Sequence, residues 1–221
     1  MFYAKPSGTY AISSVEGTAN IKAVYNYLHP LGYTDNCIVG ILGNVMAESG
    51  LNPWLWENNT YNPNNGYGLF QFTPGSEYIN ASWIPDYAPN TDPSQAVAGA
   101  SPNDALGQLY AFSNDTFAKW YGYCWRSYWS QGSYPDLYND VQRILATYGS
   151  GGVLSMADFM TITDYHDACL AFMGCYEGPL IPNFATRDTY ADQIKPIIDG
   201  HSGLMNILFL KKIIDNQFKI W

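Results

Sequence analysis

Apolar residues recur at helical spacing along most of the chain. Two stripes follow the i, i+3, i+4, i+7 pattern of a helix with one buried face: Ile21, Val24, Tyr25 and Leu28, and Ile38, Ile41, Leu42 and Val45. Pro30 and Gly32 are expected to end the first helix, and Gly50 the second. Thr34 or Asp35 is expected to cap the start of the second helix. Strand-like alternation is scarce, so the pattern predicts a mainly α fold.

Similar spacing predicts further helices in the second half of the chain. Their apolar positions are Phe117, Trp120, Tyr121, Cys124 and Tyr128; Leu137, Val141, Ile144, Leu145 and Tyr148; and Tyr165, Ala168, Cys169, Phe172 and Tyr176. Ser101 and Ser155 each precede an Asp by three residues, which is a capping pattern typical of a helix start. These segments are expected to form the rest of a helical body.

Residues 51–100 differ from the rest of the chain. They are crowded with Asn, Pro, Gly and Ser, which favour turns. A short hairpin is expected around residues 67–73. We therefore expect a small irregular or β-hairpin lobe beside the helical body.

The last apolar run, residues 194–221, is interrupted at residues 200–203 by Gly-His-Ser-Gly, where we expect a hinge. This divides the chain into a main domain over residues 1–200 and an amphipathic segment over residues 201–221. The segment is interpreted as a last helix that closes the core, as a docking peptide for a partner, or as an interfacial helix on a membrane surface.

Composition excludes several classes of protein. The 221 residues are 47% apolar and 16% aromatic but only 13% charged, which excludes intrinsic disorder. The net charge of −9 has the wrong sign for binding nucleic acid through its phosphates. No apolar run approaches the length of a transmembrane span, and no secretion signal is visible at the start. Most of the four cysteines are expected to be buried free thiols, because a core of this size needs no disulfides.

One acidic residue, Glu48, lies where a helix can alter its chemistry. It falls in the last turn of the second predicted helix, at the rim of the apolar stripe. Partial burial and the negative end of the helix dipole both disfavour a carboxylate, so we expect Glu48 to keep its proton more readily than an exposed Glu does. Glycoside cleavage needs such a protonated acid at the leaving oxygen. The alternative is an ordinary exposed Glu before a glycine cap.

Two segments together resemble a known family. Residues 40–53, GILGNVMAESGLNP, and residues 67–73, YGLFQFT, resemble the phage tail lysozyme family. They are more distantly similar to goose-type lysozymes and soluble lytic transglycosylases, which share an E-S pair on a helix followed by a G-L-x-Q segment. The resemblance covers about residues 20–75 and extends more weakly to residues 176–191.

The resemblance implies a lysozyme-like α+β fold with a cleft between the helical body and the small lobe. It implies cleavage of the β-1,4 bond between N-acetylmuramic acid and N-acetylglucosamine, with Glu48 as the catalytic acid. Gln71 is expected to bind a sugar group, and Gly66 and Gly68 to let the sugar approach the backbone. The residues expected to shape the sugar subsites are Trp56, Tyr67, Gly68, Phe70, Gln71 and Thr73.

Hydrolysis also requires a second carboxylate. Glu57, in the loop after Glu48, is the first candidate, and Asp86 and Asp92 are the alternatives. Without such a partner, the chain is expected to be a lytic transglycosylase, which needs one Glu. A catalytically silent glycan-binding or structural tail component is the alternative from a different class of protein.

The same resemblance implies a virion protein of a phage tail that acts on the host cell wall during genome entry. Its expected partners are peptidoglycan strands and other tail proteins, and neither a cofactor nor a metal is expected. Two competing chemistries have less support from the residues. One uses Cys37, at a helix start, as a nucleophile, and the other is a zinc site built on His166 and Cys169.

Overall fold

The computed structural model describes residues 2–81, 102–124 and 134–217, and helices dominate these ranges. The α-helices are α1 (Val15–Leu28), α2 (Asp35–Ser49), α3 (Gly75–Ile79), α4 (Pro102–Ser113), α5 (Pro135–Tyr148), α6 (Met156–Phe159), α7 (Tyr165–Phe172) and α8 (Phe184–Gln217). Short 3-10 turns lie at His29–Leu31 and Glu57–Asn59, and a π-turn at Met173–Glu177 follows α7. Over these ranges, no helix combines the length and the apolar character that a membrane span requires.

Helix α2 is the central element and packs against both α7 and α8. Ten of its 15 residues are buried, so other elements cover more of its surface than the one apolar stripe. A Cβ at Gly40 would lie 2.5 Å from the backbone N of Cys169 in α7, and a Cβ at Gly43 would lie 2.7 Å from the carbonyl O of Arg187 in α8. These two glycines allow both neighbouring backbones to approach α2 closely, and they bring Arg187 beside its last turn.

The predicted ends of the first two helices and the predicted start of the second are confirmed. Every stripe residue of α1 and α2 is buried. Thr34 is the N-cap of α2, and its side chain accepts a hydrogen bond from the backbone N of Cys37. Gly50 ends α2 with φ +53°, and Ser155 caps α6 as predicted.

One helix prediction and one hinge prediction are wrong over the described residues. Helix α4 ends at Ser113, and residues 114–124 are not helical, although Phe117, Trp120, Tyr121 and Cys124 have helical spacing. Tyr128, the last residue of that stripe, lies outside the described residues. The turn after α4 is held by Asp115, which has φ +46° and whose Oδ1 accepts hydrogen bonds from the backbone N of Lys119 and Trp120. The expected hinge at residues 200–203 is absent, because α8 continues through it. A glycine costs a helix only about 1 kcal/mol, which a long helix tolerates.

Residues 51–81 form the irregular lobe, but the predicted hairpin is not confirmed. Tyr67 makes isolated antiparallel bridges with Trp56 and Phe72, and no strand occurs in the ranges that the structure describes. Positive φ values at Gly68 (+78°) and Gln71 (+45°) reverse the direction of the chain between Tyr67 and Phe72. The backbones of Tyr67 and Phe72 therefore exchange two hydrogen bonds, but a longer row of strand hydrogen bonds does not follow.

A buried polar network on α4 anchors the lobe. The hydroxyls of Tyr67 and Tyr78 each donate to Asp104 across 2.7 Å. One turn later, Gln108 Oε1 accepts from the backbone N of Leu69 across 2.7 Å. Burial raises the pKa of Asp104 to about 7, while the hydrogen bonds from Tyr67, Tyr78 and Gln108 oppose that rise. The sequence pattern identified Asp104 only as part of a capping motif, whereas its side chain joins the lobe to the body.

Candidate active site

Two adjoining cavities lie where the lobe meets the helical body. The carboxylate cavity, of about 510 Å³, is lined by Glu48, Glu57, Gly66, Gln71, Thr73, Glu177, Pro179 and Leu180. The aromatic cavity, of about 360 Å³, is lined by Phe70, Gln71, Phe72, Thr73, Lys119, Tyr121, Tyr176, Glu177, Gly178 and Pro179. Because the two cavities share Gln71, Thr73, Glu177 and Pro179, they form one groove. This concavity lies between body and lobe, where the cleft was predicted.

Glu48 reaches the groove from the last turn of α2. Its side chain is 20% exposed, and its Oε1 accepts a hydrogen bond of 2.5 Å from Nη2 of Arg187 on α8. Arg187 is buried and also donates to Asn44 Oδ1 (2.9 Å) and to the carbonyl O of Pro182 (3.1 Å). A charge-assisted hydrogen bond of this kind is shorter and stronger than one between neutral groups. Arg187 thus adds a cation to the two effects expected at Glu48 from the sequence, which are partial burial and the helix dipole.

Glu57 lines the carboxylate cavity from the lobe. Its side chain is exposed, and its Oε2 accepts a hydrogen bond of 3.2 Å from the backbone N of Gly66. The backbone N of Glu57 donates to the carbonyl O of Gly66 across 2.9 Å, which fixes the two segments together. The structure therefore brings Glu48 and Glu57 to the same cavity. Asp86 and Asp92, the alternative carboxylates, lie outside the described residues.

The predicted sugar-contacting residues fall into two groups. Gln71 and Thr73 line both cavities, and Phe70 lines the aromatic cavity. Trp56 and Tyr67 are buried, with 1% and 0% exposure, and their rings contact each other at 4.5 Å between centroids. They support the lobe from inside instead of lining the groove. An aromatic-rich segment next to a motif does not reveal which rings face outward.

The structure also corrects the expected role of Gly68. This residue is buried, and a Cβ there would lie 2.3 Å from Gln108 Oε1. Its missing side chain therefore makes room for α4 and not for a sugar. Gly66 does line the carboxylate cavity, and a Cβ there would lie 2.7 Å from Gln71 Oε1. Gln71 itself is held by hydrogen bonds from Nε2 to the carbonyl O of Gly68 (2.9 Å) and of Leu55 (3.2 Å).

Glu177 is a groove residue that the sequence analysis did not single out. It is the last residue of the π-turn, which ends at Gly178 with φ +49°. Burial, followed by the nearby charge of Glu48, raises the pKa of Glu177 well above its ordinary value, while Arg187 and Lys119 act in the opposite direction. The available signal was the run Tyr-Glu-Gly-Pro directly after the stripe that ends at Tyr176.

The competing chemistries are not supported by the geometry. Cys37 is fully buried, and burial raises the pKa of its thiol, the opposite of what an activated nucleophile needs. His166 Nδ1 lies 2.6 Å from Asp188 Oδ1, whereas Cys169 is buried beside Asn44. In the part of the chain that the structure covers, no three His, Cys, Asp or Glu side chains are arranged to hold a metal ion. All four cysteines are buried free thiols, which confirms the prediction that most of them would be.

Comparison with known proteins identifies the family of the chain. The model of the phage tail lysozyme family matches residues 19–197, which include every residue that lines the groove. A curated relative, morphogenesis protein 1 of Bacillus phage B103, is 43% identical over 81 residues, which are 36% of this chain and 21% of the relative. The chain therefore spans about a fifth of the length of that relative. Since the family match extends over most of the sequence, the chain belongs to the phage tail lysozyme family.

Proposed function

We propose that the protein is a muramidase of a phage tail, which hydrolyses the β-1,4 bond between N-acetylmuramic acid and N-acetylglucosamine of host peptidoglycan during genome entry. The observation that carries the proposal is that Glu48, from the end of α2, and Glu57, from the lobe, line one cavity. Two carboxyl groups that flank the scissile bond are the machinery of most glycoside hydrolases. Membership of the phage tail lysozyme family supports the same chemistry.

Glu48 is the general acid of the proposed reaction. It gives its proton to the glycosidic oxygen while the bond from that oxygen to the anomeric carbon breaks. The negative charge that develops on Glu48 faces Nη2 of Arg187, which is already in place. Such a preorganised cation stabilises negative charge as it forms on Glu48, so the contact with Arg187 favours the transition state of proton donation.

Glu57 is the base of the proposed reaction. Its exposed carboxylate has access to water and is oriented by the backbone N of Gly66. A water molecule that attacks the anomeric carbon loses a proton to Glu57, and solvent then returns the protonation states to their starting point. This second carboxyl distinguishes hydrolysis from transglycosylation, in which a sugar hydroxyl replaces the water.

Glycan binding in this proposal is neutral and short-ranged. Gln71 and Thr73 offer polar atoms along the groove, and Tyr121, which is partly exposed, offers a ring to the C–H faces of sugars. Phe70 and Phe72, each 3% exposed, form the buried floor of the aromatic cavity. Leu180, 68% exposed at the rim, adds apolar surface. A protein of charge −9 is not attracted electrostatically to an anionic cell wall, so recognition depends on contacts inside the groove.

The proposed setting is the virion, where the protein assembles with other tail proteins and acts on the host wall. The relative from Bacillus phage B103 is named for morphogenesis, which supports assembly into a particle. The proposed reaction uses side chains and water and needs no cofactor or metal. Its polymer partner is the peptidoglycan strand.

Mass spectrometry of purified sacculi after digestion tests this proposal. Reducing N-acetylmuramic acid ends are expected; anhydro ends would indicate a lytic transglycosylase, and released peptides with intact glycan would contradict both. If the folded protein releases no glycan fragments and no peptides, it is a glycan-binding or structural tail component.

Glu48→Gln is expected to lower the rate of glycan cleavage by about 10²- to 10⁴-fold, the usual contribution of general acid catalysis. Glu16→Gln removes a carboxylate that lines a different surface depression, with Lys5 and Tyr10, and is expected to leave the rate unchanged.

A further inference from the structure

Glu177 occupies the junction of the two cavities without a role in the reaction described above. It lines both the carboxylate and the aromatic cavity, so a glycan in the groove passes it. The residue is partly exposed, but its Oε1 is buried and has no hydrogen-bond partner among the described residues. A π-turn widens the helical path, and such turns often present a residue at a functional site. Here the turn Met173–Glu177 presents Glu177 to the groove.

The charged groups around Glu177 come from four elements. Glu48 of α2 repels a charge on Glu177, while Arg187 of α8 and Lys119 of the loop after α4 attract it. Glu57 of the lobe lines the same cavity. Both cations are engaged elsewhere: Arg187 binds Glu48 Oε1 at 2.5 Å, and Lys119 Nζ donates to the carbonyl O of Thr73 at 3.0 Å. A buried carboxylate oxygen without a donor is costly, so the neutral form of Glu177 is favoured.

The pair of Glu48 and Glu177 therefore has unequal environments. One carboxyl faces a guanidinium, and the other has a buried oxygen without a partner. The buried oxygen of Glu177, which has no hydrogen-bond donor among the described residues, favours the protonated form of that residue. A general acid that starts each cycle beside Arg187 needs a proton source, and the structure places a second carboxyl in the same cavity.

Resting on the function proposed above, we propose that Glu177 holds the proton that Glu48 delivers to the glycosidic oxygen. The O–H bond of Glu177 breaks and its proton passes to Glu48, directly or through one water molecule. Glu48 then gives this proton to the leaving oxygen as the glycosidic bond breaks. The attacking water gives its proton to Glu57, which releases it to solvent, and solvent reprotonates Glu177. Glu177 thus acts through Glu48 and not on the sugar.

The pH profile of Glu177→Gln tests this assignment. Gln has the shape of a neutral Glu but no proton to give, so the alkaline limb of the kcat/KM profile is expected to move by at least about one pH unit towards acid. Activity at pH 7 then falls by about ten-fold or more, while activity near pH 5 changes much less. Glu177→Asp is expected to restore part of the neutral activity, and Glu16→Gln to keep the wild-type profile. An unchanged profile, or an equal loss at every pH, would overturn the proposal in favour of a structural role.

A second measurement does not depend on how Glu177→Gln folds. In a ¹³C carboxyl NMR titration of the wild-type chain, one Glu is expected to titrate well above the ordinary range of Glu. In Glu48→Gln the same resonance is expected to titrate at lower pH, because the neighbouring charge is gone. If every Glu titrates in the ordinary range, the proposal is wrong whether or not the protein cleaves glycan. Conversely, this resonance combined with the absence of sugar release would contradict only the muramidase function.

Discussion

Arg187 is the residue on which the electrostatics of the groove depend. Its buried side chain donates to Glu48 and Asn44 of α2 and to the carbonyl O of Pro182, in the loop before α8. Asn44 in turn donates to the carbonyl O of Cys169 in α7 across 3.0 Å. One guanidinium therefore helps to hold three helices around the proposed acid. Removing one partner of such a network leaves the other polar groups buried without a hydrogen-bond or charge partner.

Replacement of Arg187 tests this view. Arg187→Leu is expected to lower the free energy of unfolding by about 2–4 kcal/mol, at the lower end for a buried pair because Glu48 is partly exposed. Urea denaturation followed by circular dichroism measures the change. Arg143→Leu is the matched control, because its guanidinium, bonded to Asp167 at 2.6 Å, is 52% exposed and is expected to contribute about 1 kcal/mol or less. Equal losses in the two variants would contradict the prediction.

The sequence could predict some groove residues and not others, for a physical reason. Glu48 was found because a helix end, an apolar stripe and a motif coincide within a few residues. Glu57 was found because it follows in the adjoining loop. Arg187 lies 139 residues from Glu48, and Glu177 is nearly as distant, so only folding brings them together. Tyr67 was misplaced because an aromatic side chain suits both a sugar site and a core.

At the scale of elements, regular helices were predictable and the irregular lobe was not. The apolar stripes of α1 and α2 were sufficient to predict these helices, because the apolar spacing and the capping residues indicate the same helix. The lobe depends on positive φ values at Leu51 and Gln71, and neither Leu nor Gln is a residue type that favours this conformation. The turn after α4 was missed because apolar spacing alone does not show that Asp115 caps a turn.

The close approach of α2 and α8 makes a prediction about Gly43. The Cβ of Gly43→Ala would lie 2.7 Å from the carbonyl O of Arg187 and 3.0 Å from Cβ of Ala191, so α8 must move away from α2. We expect a loss of about 1–3 kcal/mol in unfolding free energy, typical of overpacking, and lower activity because Arg187 shifts. In the control Gly200→Ala, the new Cβ on α8 meets no atom within 4 Å, so this variant is expected to raise the unfolding free energy slightly. If Gly43→Ala has the same unfolding free energy as the wild type, the space between α2 and α8 accommodates a methyl group and the prediction is wrong.

The end of α8 makes a second prediction at this scale. His201 contacts Tyr25 with ring centroids 5.3 Å apart, and its Nε2 lies 2.9 Å from Asn26 Oδ1, so this part of α8 is attached to α1. A chain ending at Met205 keeps these contacts and every residue of the groove. We expect it to stay folded and to cleave glycan at the rate of the full chain, as judged by circular dichroism and sugar release. Loss of the folded state would show instead that residues 206–221 close the core, and failure to enter particles would support the docking peptide.

At the scale of the whole molecule, the junction between body and lobe depends on a buried acid. Asp104 joins α4 to Tyr67 and Tyr78 of the lobe, and this lobe carries Glu57, Gln71 and one wall of the groove. The pKa of Asp104 is raised by burial to about 7, from 3.8 in the ordinary carboxyl. The groove and the stability of the fold therefore depend on pH through different residues.

The sign of this dependence follows from proton binding. Between about pH 4 and pH 7 the folded chain keeps the Asp104 proton that the unfolded chain has released, so stability falls as pH rises through this window and this residue adds no further change above it. The total fall is about 4 kcal/mol at most. Subtracting the urea-derived stability curve of Asp104→Asn from that of the wild type isolates this slope, because both proteins share every other titrating group. Asp140→Asn, which removes a carboxylate that is 54% exposed on α5, is expected to keep the wild-type slope. If the curves of wild type and Asp104→Asn run parallel from pH 4 to pH 7, Asp104 is ionised throughout, and its hydrogen bonds from Tyr67, Tyr78 and Gln108 outweigh its burial.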